Sequence, residues 1–171
     1  SLREATDMSR KEKDNRPLRF AILTVSNSRT YSDDTNGLLI QSLLTKAGHQ
    51  VVDYAIVKDD GEAILKHIHE WVCSVDAILT SGGTGLALRD VTLETLEPKF
   101  DKVIPEFNGM LTFLAYRRAC GTEALAYRSA AGVIRQCPVF CLPGQTSLIK
   151  VGTEQLIIPE VHLIKSEISK S

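Results

Sequence analysis

The sequence lacks several features that would point to a metal, membrane or nucleic-acid function. Its four cysteines form no Cys-x-x-Cys pair, which disfavours a zinc or dithiol site and favours buried, reduced thiols. The formal net charge of −1 offers no broad attraction to nucleic acids or membrane surfaces. No apolar run is long enough to span a bilayer, and the first 19 residues lack the apolar centre of a signal peptide. We therefore expect a cytoplasmic protein that binds neither nucleic acids nor membranes.

The composition that is present fits one globular domain. Apolar residues make up 43% of the 171 residues, whereas aromatic residues make up only 6%, and a chain of this length can bury one sizeable core. Residues 1–17 are polar and charged without any period, which predicts a flexible N-terminal arm. Residues 18–171 are predicted to form the single domain.

Strands and helices alternate along this domain. Apolar runs predict strands at 18–25, 51–57 and 139–142 and in the stretch that begins at Asp76. Helical spacing predicts helices at 38–47, 61–72 and 105–118, and a longer one from Thr146 or Ser147 to about 167, kinked or interrupted at Pro159. Residues 123–133 form a short amphipathic segment. The alternation predicts an α/β fold with a doubly wound, mostly parallel sheet.

A glycine-rich loop follows the third predicted strand. Gly82-Gly83-Thr84-Gly85 allows backbone N–H groups to converge on an anion, most often a phosphate. Asp90 follows five residues after Gly85, and a carboxylate beside bound phosphates suits Mg²⁺. The loop is also compatible with an ordinary tight turn between a strand and a helix. Its spacing fits neither the Walker pattern nor the dinucleotide-binding pattern.

Polar loops follow the other predicted strands as well. Asp59 and Asp60 come after the second strand, where each is either a helix N-cap or a second functional carboxylate. The Pro143-Gly144 turn opens the last helix, where it is either a second anion site or a plain Ser/Thr cap. Ligands of doubly wound sheets bind beyond the carboxyl ends of the strands, so these loops are predicted to converge on one site.

Taken together, the loops resemble the MoaB and molybdopterin adenylyltransferase (MogA) family of molybdenum cofactor biosynthesis, which also occurs as a domain of gephyrin. The resemblance covers about residues 19 to 165, and its motifs follow the family's order. The motifs are Thr24-Val25-Ser26 with Arg29, Asp34 and Gly37; Asp59; Gly82-Gly83-Thr84-Gly85 with Arg89-Asp90-Val91-Thr92; Ile104-Pro105; Arg128-Ser129-Ala130-Ala131-Gly132; and Leu142-Pro143-Gly144. The glycine loop followed by Arg-Asp-Val-Thr is the most specific of these.

The resemblance implies a three-layer α/β/α molybdopterin-binding-like fold that assembles into homotrimers or homohexamers. It also implies transfer of AMP from Mg-ATP to the terminal phosphate of molybdopterin. In that reading Asp59 and Asp90 are catalytic and hold Mg²⁺. The residues that bind phosphate, nucleotide or molybdopterin are Ser26, Arg29, Gly82, Gly83, Thr84, Gly85, Thr92, Tyr127, Arg128, Ser129, Pro143, Gly144 and Ser147.

The chain departs from the family's usual pattern at several positions. Asn27 stands where an aspartate is usual, Tyr127 where a small serine is usual, and Glu106 where glycine is usual. Residues 112 and 113 differ as well. A phenol ring at position 127 would either fill the molybdopterin pocket or stack on the pterin. Two other functions therefore stay open, namely a molybdopterin-binding protein without catalysis and an oligomeric scaffold.

Overall fold

The computed structural model of the protein describes residues 14–171. The greater part of the predicted flexible arm, residues 1–13, lies outside the described residues, so the flexibility of the arm stays a prediction. None of the helices between residues 14 and 171 combines the length and the apolar character that a membrane span requires.

The domain is built around a six-stranded sheet whose strand order is β2-β1-β3-β6-β5-β4. Strands β1, β2, β3 and β6 are parallel, whereas β5 pairs antiparallel with both β6 and β4. The strands are β1 (Arg19–Val25), β2 (Gln50–Val57), β3 (Ala77–Ser81), β4 (Lys102–Val103), β5 (Ala130–Ile134) and β6 (Cys137–Leu142). The mostly parallel sheet predicted from the sequence is confirmed.

Helices cover both faces of the sheet, and this confirms the three-layer arrangement. One face packs on α1 (Thr35–Lys46), α4 (Glu106–Arg118), α5 (Thr146–Gly152) and α6 (Ile158–Ile168). The other face packs on α2 (Gly61–Trp71) and α3 (Thr92–Leu96). Side chains alternate between the faces along each strand, so Phe20 and Ile22 belong to the first core whereas Ala21 and Leu23 belong to the second.

Two segments differ from the simplest sequence prediction. Residues 123–133 divide into a 3-10 helix, Gly121–Ala126, and strand β5. The long last helix is interrupted by a π-helical segment, Thr153–Ile157, and Pro159 then occupies the first turn of α6, where the missing N–H of proline costs least. The predicted interruption is therefore confirmed, but it begins before Pro159.

The edge strand β2 contains a β-bulge. Phe20 pairs with Val51 while its neighbour Ala21 pairs with Asp53, so Val52 is an extra residue in β2. The side chain of Val52 is 40% exposed, and Asp53 accepts a hydrogen bond of 3.0 Å from Trp71 Nε1. A bulge of this kind bends the strand and increases its twist.

Candidate functional site

The glycine loop leaves β3 at the centre of the sheet and is held by backbone hydrogen bonds. Gly82 N donates to Leu142 O at 3.1 Å, which ties the loop to the end of β6. Gly82 and Gly83 have φ angles of +89° and +70°. A Cβ atom on Gly82 would overlap the carbonyl oxygen of Val25. Position 82 therefore needs glycine both for its backbone conformation and for the close approach of β1.

Thr92 fixes the same loop from the opposite side. Its backbone N donates to Gly83 O at 2.9 Å and its Oγ1 donates to Gly82 O at 2.9 Å. Thr92 is fully buried. The structure therefore places this predicted phosphate ligand behind the glycine loop, as a residue that orients the loop.

Asp90 lies directly against the glycine loop. Its Oδ2 accepts a hydrogen bond of 3.0 Å from Ala87 N, and its own N donates to Ala87 O at 3.0 Å. A Cβ atom added to Gly85 would lie 2.6 Å from Asp90 Oδ2, so the absence of a side chain at position 85 makes room for the carboxylate. The sequence predicted this proximity of Asp90 to the loop, and the structure has it.

Arg128 holds the other end of the glycine loop. Its Nε donates to Thr84 O at 2.8 Å and its Nη2 donates to Gly85 O at 2.7 Å. The guanidinium also forms a bidentate pair with Glu94, with distances of 2.9 and 3.1 Å, and this pair lowers the pKa of the Glu94 carboxyl. Loop carbonyls and Glu94 thus engage every nitrogen of the guanidinium. Thr84 itself is 2% exposed.

Asp59 is paired with Asn27 across the first two loops. Asn27 Nδ2 donates to Asp59 Oδ2 at 2.7 Å, and Asp59 N donates to Asn27 Oδ1 at 3.1 Å. The neighbouring Asp60 is the N-cap of α2 and accepts from Glu62 N at 3.1 Å. The structure therefore assigns the capping role to Asp60. Asp59 does not cap α2, and it stays a predicted site residue.

The two predicted catalytic aspartates lie on the same side of the sheet. Asp59 precedes the first turn of α2 and Asp90 precedes that of α3, and both helices pack on the same face. The first residue of α2 also lies close to the last turn of the short α3, since a Cβ atom added to Gly61 would lie 3.0 Å from Thr95 Oγ1. Both aspartates therefore follow the carboxyl ends of parallel strands; Asp90 contacts the glycine loop, and Asp59 contacts Asn27 of the loop after β1.

The Pro143-Gly144 turn lies against the glycine loop and is fixed by α1. A Cβ atom on Gly144 would be 3.7 Å from Gly82 Cα. Asn36 Nδ2 donates to Gly144 O at 2.8 Å, and Thr146 Oγ1 donates to Asn36 Oδ1 at 2.7 Å. Pro143 is buried, whereas Gly144 and Ser147 are exposed at the start of α5.

Ser26 and Arg29 belong to the loop after β1. Ser26 Oγ accepts from Arg29 N at 3.1 Å, and Arg29 Nη1 donates to Asp33 O at 3.2 Å. Both residues line a cavity of about 310 Å³, together with Tyr31 and Lys58 among others. The cavity lies beside Asp59, because Asn27 also contributes to its wall.

The remaining predicted residues, Tyr127 and Ser129, lie between α4 and β5. The half-buried ring of Tyr127 packs against a small apolar cluster of Ala115, Ala124 and Leu148. Ser129 donates to Asn108 Oδ1 from both N and Oγ, at 3.1 and 3.0 Å. The structure thus places the Tyr127 ring in a packing contact with the first turn of α5.

A buried carboxylate that the sequence did not single out as a site residue supports the first loop. Asp34 is 1% exposed and caps α1 by accepting from Gly37 N at 3.1 Å. Its Oδ2 accepts from Thr24 Oγ1 at 2.6 Å and from the Tyr54 hydroxyl. Burial and the contact with Asp34 raise the pKa of Tyr54. The local sequence signal for the capping role of Asp34 was its place at the start of a helix, three residues before Gly37.

The carboxylates of Asp59 and Asp90 suit Mg²⁺ when phosphate oxygens supply further ligands to the ion. Within residues 14–171, no cluster of three or more His, Cys, Asp or Glu side chains forms a metal cage. The hydrogen bonds of Asp59 and Asp90 described above use Oδ2, so the Oδ1 oxygen of each carboxylate lies outside them. Mg²⁺ is typically bound by one or two carboxylates together with substrate phosphates, and this arrangement fits that chemistry.

Comparison with known proteins shows the family to which the chain belongs. Residues 21–163 match the family model described as a probable molybdopterin binding domain. The chain belongs to this family of molybdenum cofactor biosynthesis. It is 42% identical to molybdenum cofactor biosynthesis protein B of Staphylococcus epidermidis over 161 residues, which cover 91% of this chain and 92% of that protein. It is 39% identical to the Bacillus subtilis protein of the same name over 155 residues, which cover 90% and 91%.

A solved structure extends the family match to three dimensions. The tungsten cofactor synthesizing protein MoaB from Pyrococcus furiosus superposes with a TM-score of 0.82 at 33% identity, covering 91% of this chain and 99% of that one. The membership of the MoaB family and the fold that the sequence predicted are therefore both confirmed.

Proposed function

We propose that this protein binds molybdopterin and transfers AMP from Mg-ATP to its terminal phosphate. The observation that carries the proposal is that Asp59 and Asp90 precede two helices on the same face of the sheet, and that Asp90 lies against the glycine loop. In the reaction, a phosphate oxygen of molybdopterin attacks the α-phosphorus of ATP. The bond between that phosphorus and the bridging oxygen of the β-phosphate breaks, and pyrophosphate leaves.

The residues of this chain act mainly by positioning and by charge. Backbone N–H groups of Gly83, Thr84 and Gly85 bind phosphate oxygens, whereas Gly82 N donates to Leu142 O and holds the loop in place. Arg128 fixes the same loop through the carbonyls of Thr84 and Gly85. Asp59 and Asp90 hold Mg²⁺, which when bound neutralises the negative charge of the triphosphate. Pre-oriented groups of this kind supply most of the catalysis in phosphoryl-type transfer. Free thiols at all four cysteines support a reducing, cytoplasmic setting for this activity.

The experiment compares three aspartate variants for formation of adenylyl-molybdopterin and release of pyrophosphate. Asp59→Asn and Asp90→Asn should each lower kcat by about 100-fold or more, because each loses a charge that acts in the transition state. Asp60→Asn is the matched control. It removes the adjacent carboxylate but retains a good N-cap for α2, so its rate should stay near that of the parent protein. An unmodified protein that forms no adenylyl-molybdopterin would contradict the proposal.

The second candidate function is molybdopterin binding without catalysis. It is favoured by Asn27, whose amide occupies one oxygen of Asp59, and by Arg128, whose nitrogens are all engaged within the protein. Calorimetry separates the two functions. Molybdopterin binding with no consumption of ATP supports the second, whereas a protein that does not bind molybdopterin rules out both.

We also propose that the protein forms a homo-oligomer through α4 and the following 3-10 helix. Large apolar side chains are exposed there, with Phe113 at 60%, Tyr116 at 55% and Leu125 at 94%. They surround an apolar depression of about 460 Å³. Contiguous exposed apolar surface of this kind marks association sites. Sedimentation of the parent protein and of Leu125→Glu tests this, since the charge should shift the population to monomer.

A further inference from the structure

The cavity between the ends of β1 and β2 has an aromatic wall that the proposed chemistry does not yet explain. Tyr31 is 57% exposed, yet its ring is fixed at both ends. Its hydroxyl oxygen accepts a hydrogen bond of 3.3 Å from Ile56 N, and its ring meets Tyr54 edge-on at a centroid distance of 5.3 Å. The exposed face of a ring held in this way is a preformed surface for stacking.

Two cations accompany this aromatic wall. Arg29 and Lys58 line the same cavity, and Arg29 Nη1 donates to Asp33 O at 3.2 Å. An aromatic wall together with two cations complements a ligand with an aromatic ring system and a chain of phosphates.

The cavity also has a direct structural connection to the proposed catalytic carboxylate. Asn27 contributes to the cavity wall and donates to Asp59 Oδ2 at 2.7 Å, and Lys58 immediately precedes Asp59 in the chain. A ligand whose ring lies on Tyr31 therefore has its phosphates at the loops that hold Asp59.

We propose that this cavity holds the purine base of the nucleotide, with Tyr31 as the stacking surface and Arg29 and Lys58 as cations for the phosphates. This inference rests on the proposed function, because it specifies where the ATP of that reaction binds. Stacking of a base on an aromatic side chain contributes about 1–3 kcal/mol, so the loss of the Tyr31 ring should weaken nucleotide binding about tenfold.

The test is calorimetric titration with a nonhydrolysable ATP analogue in the presence of Mg²⁺. Tyr31→Ala should raise Kd for the analogue about tenfold, whereas Tyr31→Phe, which keeps the ring, should stay within about twofold of the parent protein. Inorganic tripolyphosphate has no base, so it should bind the parent protein and Tyr31→Ala equally. Lys58→Ala should show the complementary pattern and weaken both ligands. Thermal unfolding of each variant verifies that it is folded.

Three results would overturn the assignment. One is that Tyr31→Ala binds the analogue with the same Kd as the parent protein. Another is that Tyr31→Ala loses as much affinity for tripolyphosphate as it loses for the analogue. The third is that Tyr31→Ala weakens the binding of molybdopterin but not that of the analogue, which would mean that the pterin stacks on Tyr31. If the parent protein transfers AMP while Tyr31→Ala binds the analogue normally, only the cavity assignment fails. A parent protein with no affinity for the analogue removes both the assignment and the adenylyl transfer.

Discussion

Asn27 and Asp59 form a reciprocal pair of hydrogen bonds that joins the loops after β1 and β2. The side-chain amide of Asn27 donates to the Asp59 carboxylate, and the Asp59 backbone N–H donates back to the Asn27 carbonyl. Asn27 is neutral, so it orients the carboxylate without compensating its charge.

The first prediction concerns this pair. Asn27→Ala removes the hydrogen bond that orients Asp59. We expect kcat for adenylyl transfer to fall by at least about tenfold. The midpoint of urea unfolding should change little, because both residues lie at the surface end of the strands, where water replaces the lost bond. Unchanged kcat in this variant would mean that Asp59 needs no partner.

The second prediction compares two glycines that share a positive φ angle. Gly82 and Gly48 have φ of +89° and +92°, but only Gly82 is crowded, by the carbonyl of Val25, whereas the space at Gly48 is open. Gly48→Ala should cost only the conformational strain, about 1–2 kcal/mol. Gly82→Ala should cost clearly more, because β1 must move. Free energies of unfolding from urea titrations measure both, and equal losses would show that the contact with Val25 relaxes freely.

The third prediction concerns the Arg128 clamp. Arg128→Lys keeps the positive charge but cannot donate to Thr84 O, Gly85 O and Glu94 together. We expect a loss of about 1–3 kcal/mol in the free energy of unfolding and weaker molybdopterin binding. Arg118→Lys is the matched control, since the side chain of this exposed arginine donates to Gln155 Oε1 and to no other residue of the described range 14–171. Glu94→Gln should cost less than Arg128→Lys, because Glu94 is exposed and its ion pair is screened by solvent.

The fourth prediction is a loss of stability at alkaline pH that depends on two buried thiols. Burial raises the pKa of Cys137 and of Cys141 from the ordinary thiol value of 9.0 to about 12. Stability from these thiols is complete below the pKa of the unfolded chain and is lost as pH rises from there towards about 12, because only the unfolded chain releases the protons. The slope should approach about 1.4 kcal/mol per pH unit for each thiol.

The control for this measurement is the double variant Cys137→Ala, Cys141→Ala. Its cavities lower the stability at every pH, but above pH of about 9 its curve should be flatter than that of the parent protein. Parallel curves would contradict the assignment of the alkaline slope to the thiols. Urea titrations in a reducing buffer, repeated across the pH range, supply both curves.

The sequence predicted the parallel strands and the meeting of the loops because each signal was local. Apolar runs mark β1, β2, β3 and β6, and a glycine-rich loop needs no partner to be recognised. It also paired Asp90 with the glycine loop, since Asp90 is only the fifth residue after Gly85. These predictions depended on residues that are close together in the sequence, and such local patterns can be recognised from the sequence alone.

The antiparallel strands β4 and β5 were not predicted, because the contacts that stabilise them join residues far apart in the sequence. Strand β5 contains Gly132, which weakens a strand, and the glycine is needed because the Phe100 ring occupies the space of a Cβ atom. The turn into β6 has positive φ at Arg135 and Gln136, residues that carry none of the usual hairpin signal. The links from Asn27 to Asp59 and from Arg128 to Thr84 likewise join residues 32 and 44 positions apart.

The bulge in β2 has a consequence for how copies of this chain meet. An unbroken outer strand would offer its backbone to a strand from another molecule, and continuous sheets of that kind grow into insoluble aggregates. The extra Val52 and the acidic Asp53 interrupt that template, and the opposite border of the sheet is only two residues long. Neither border invites sheet extension, so the homo-oligomer proposed above would form through contacts between helices.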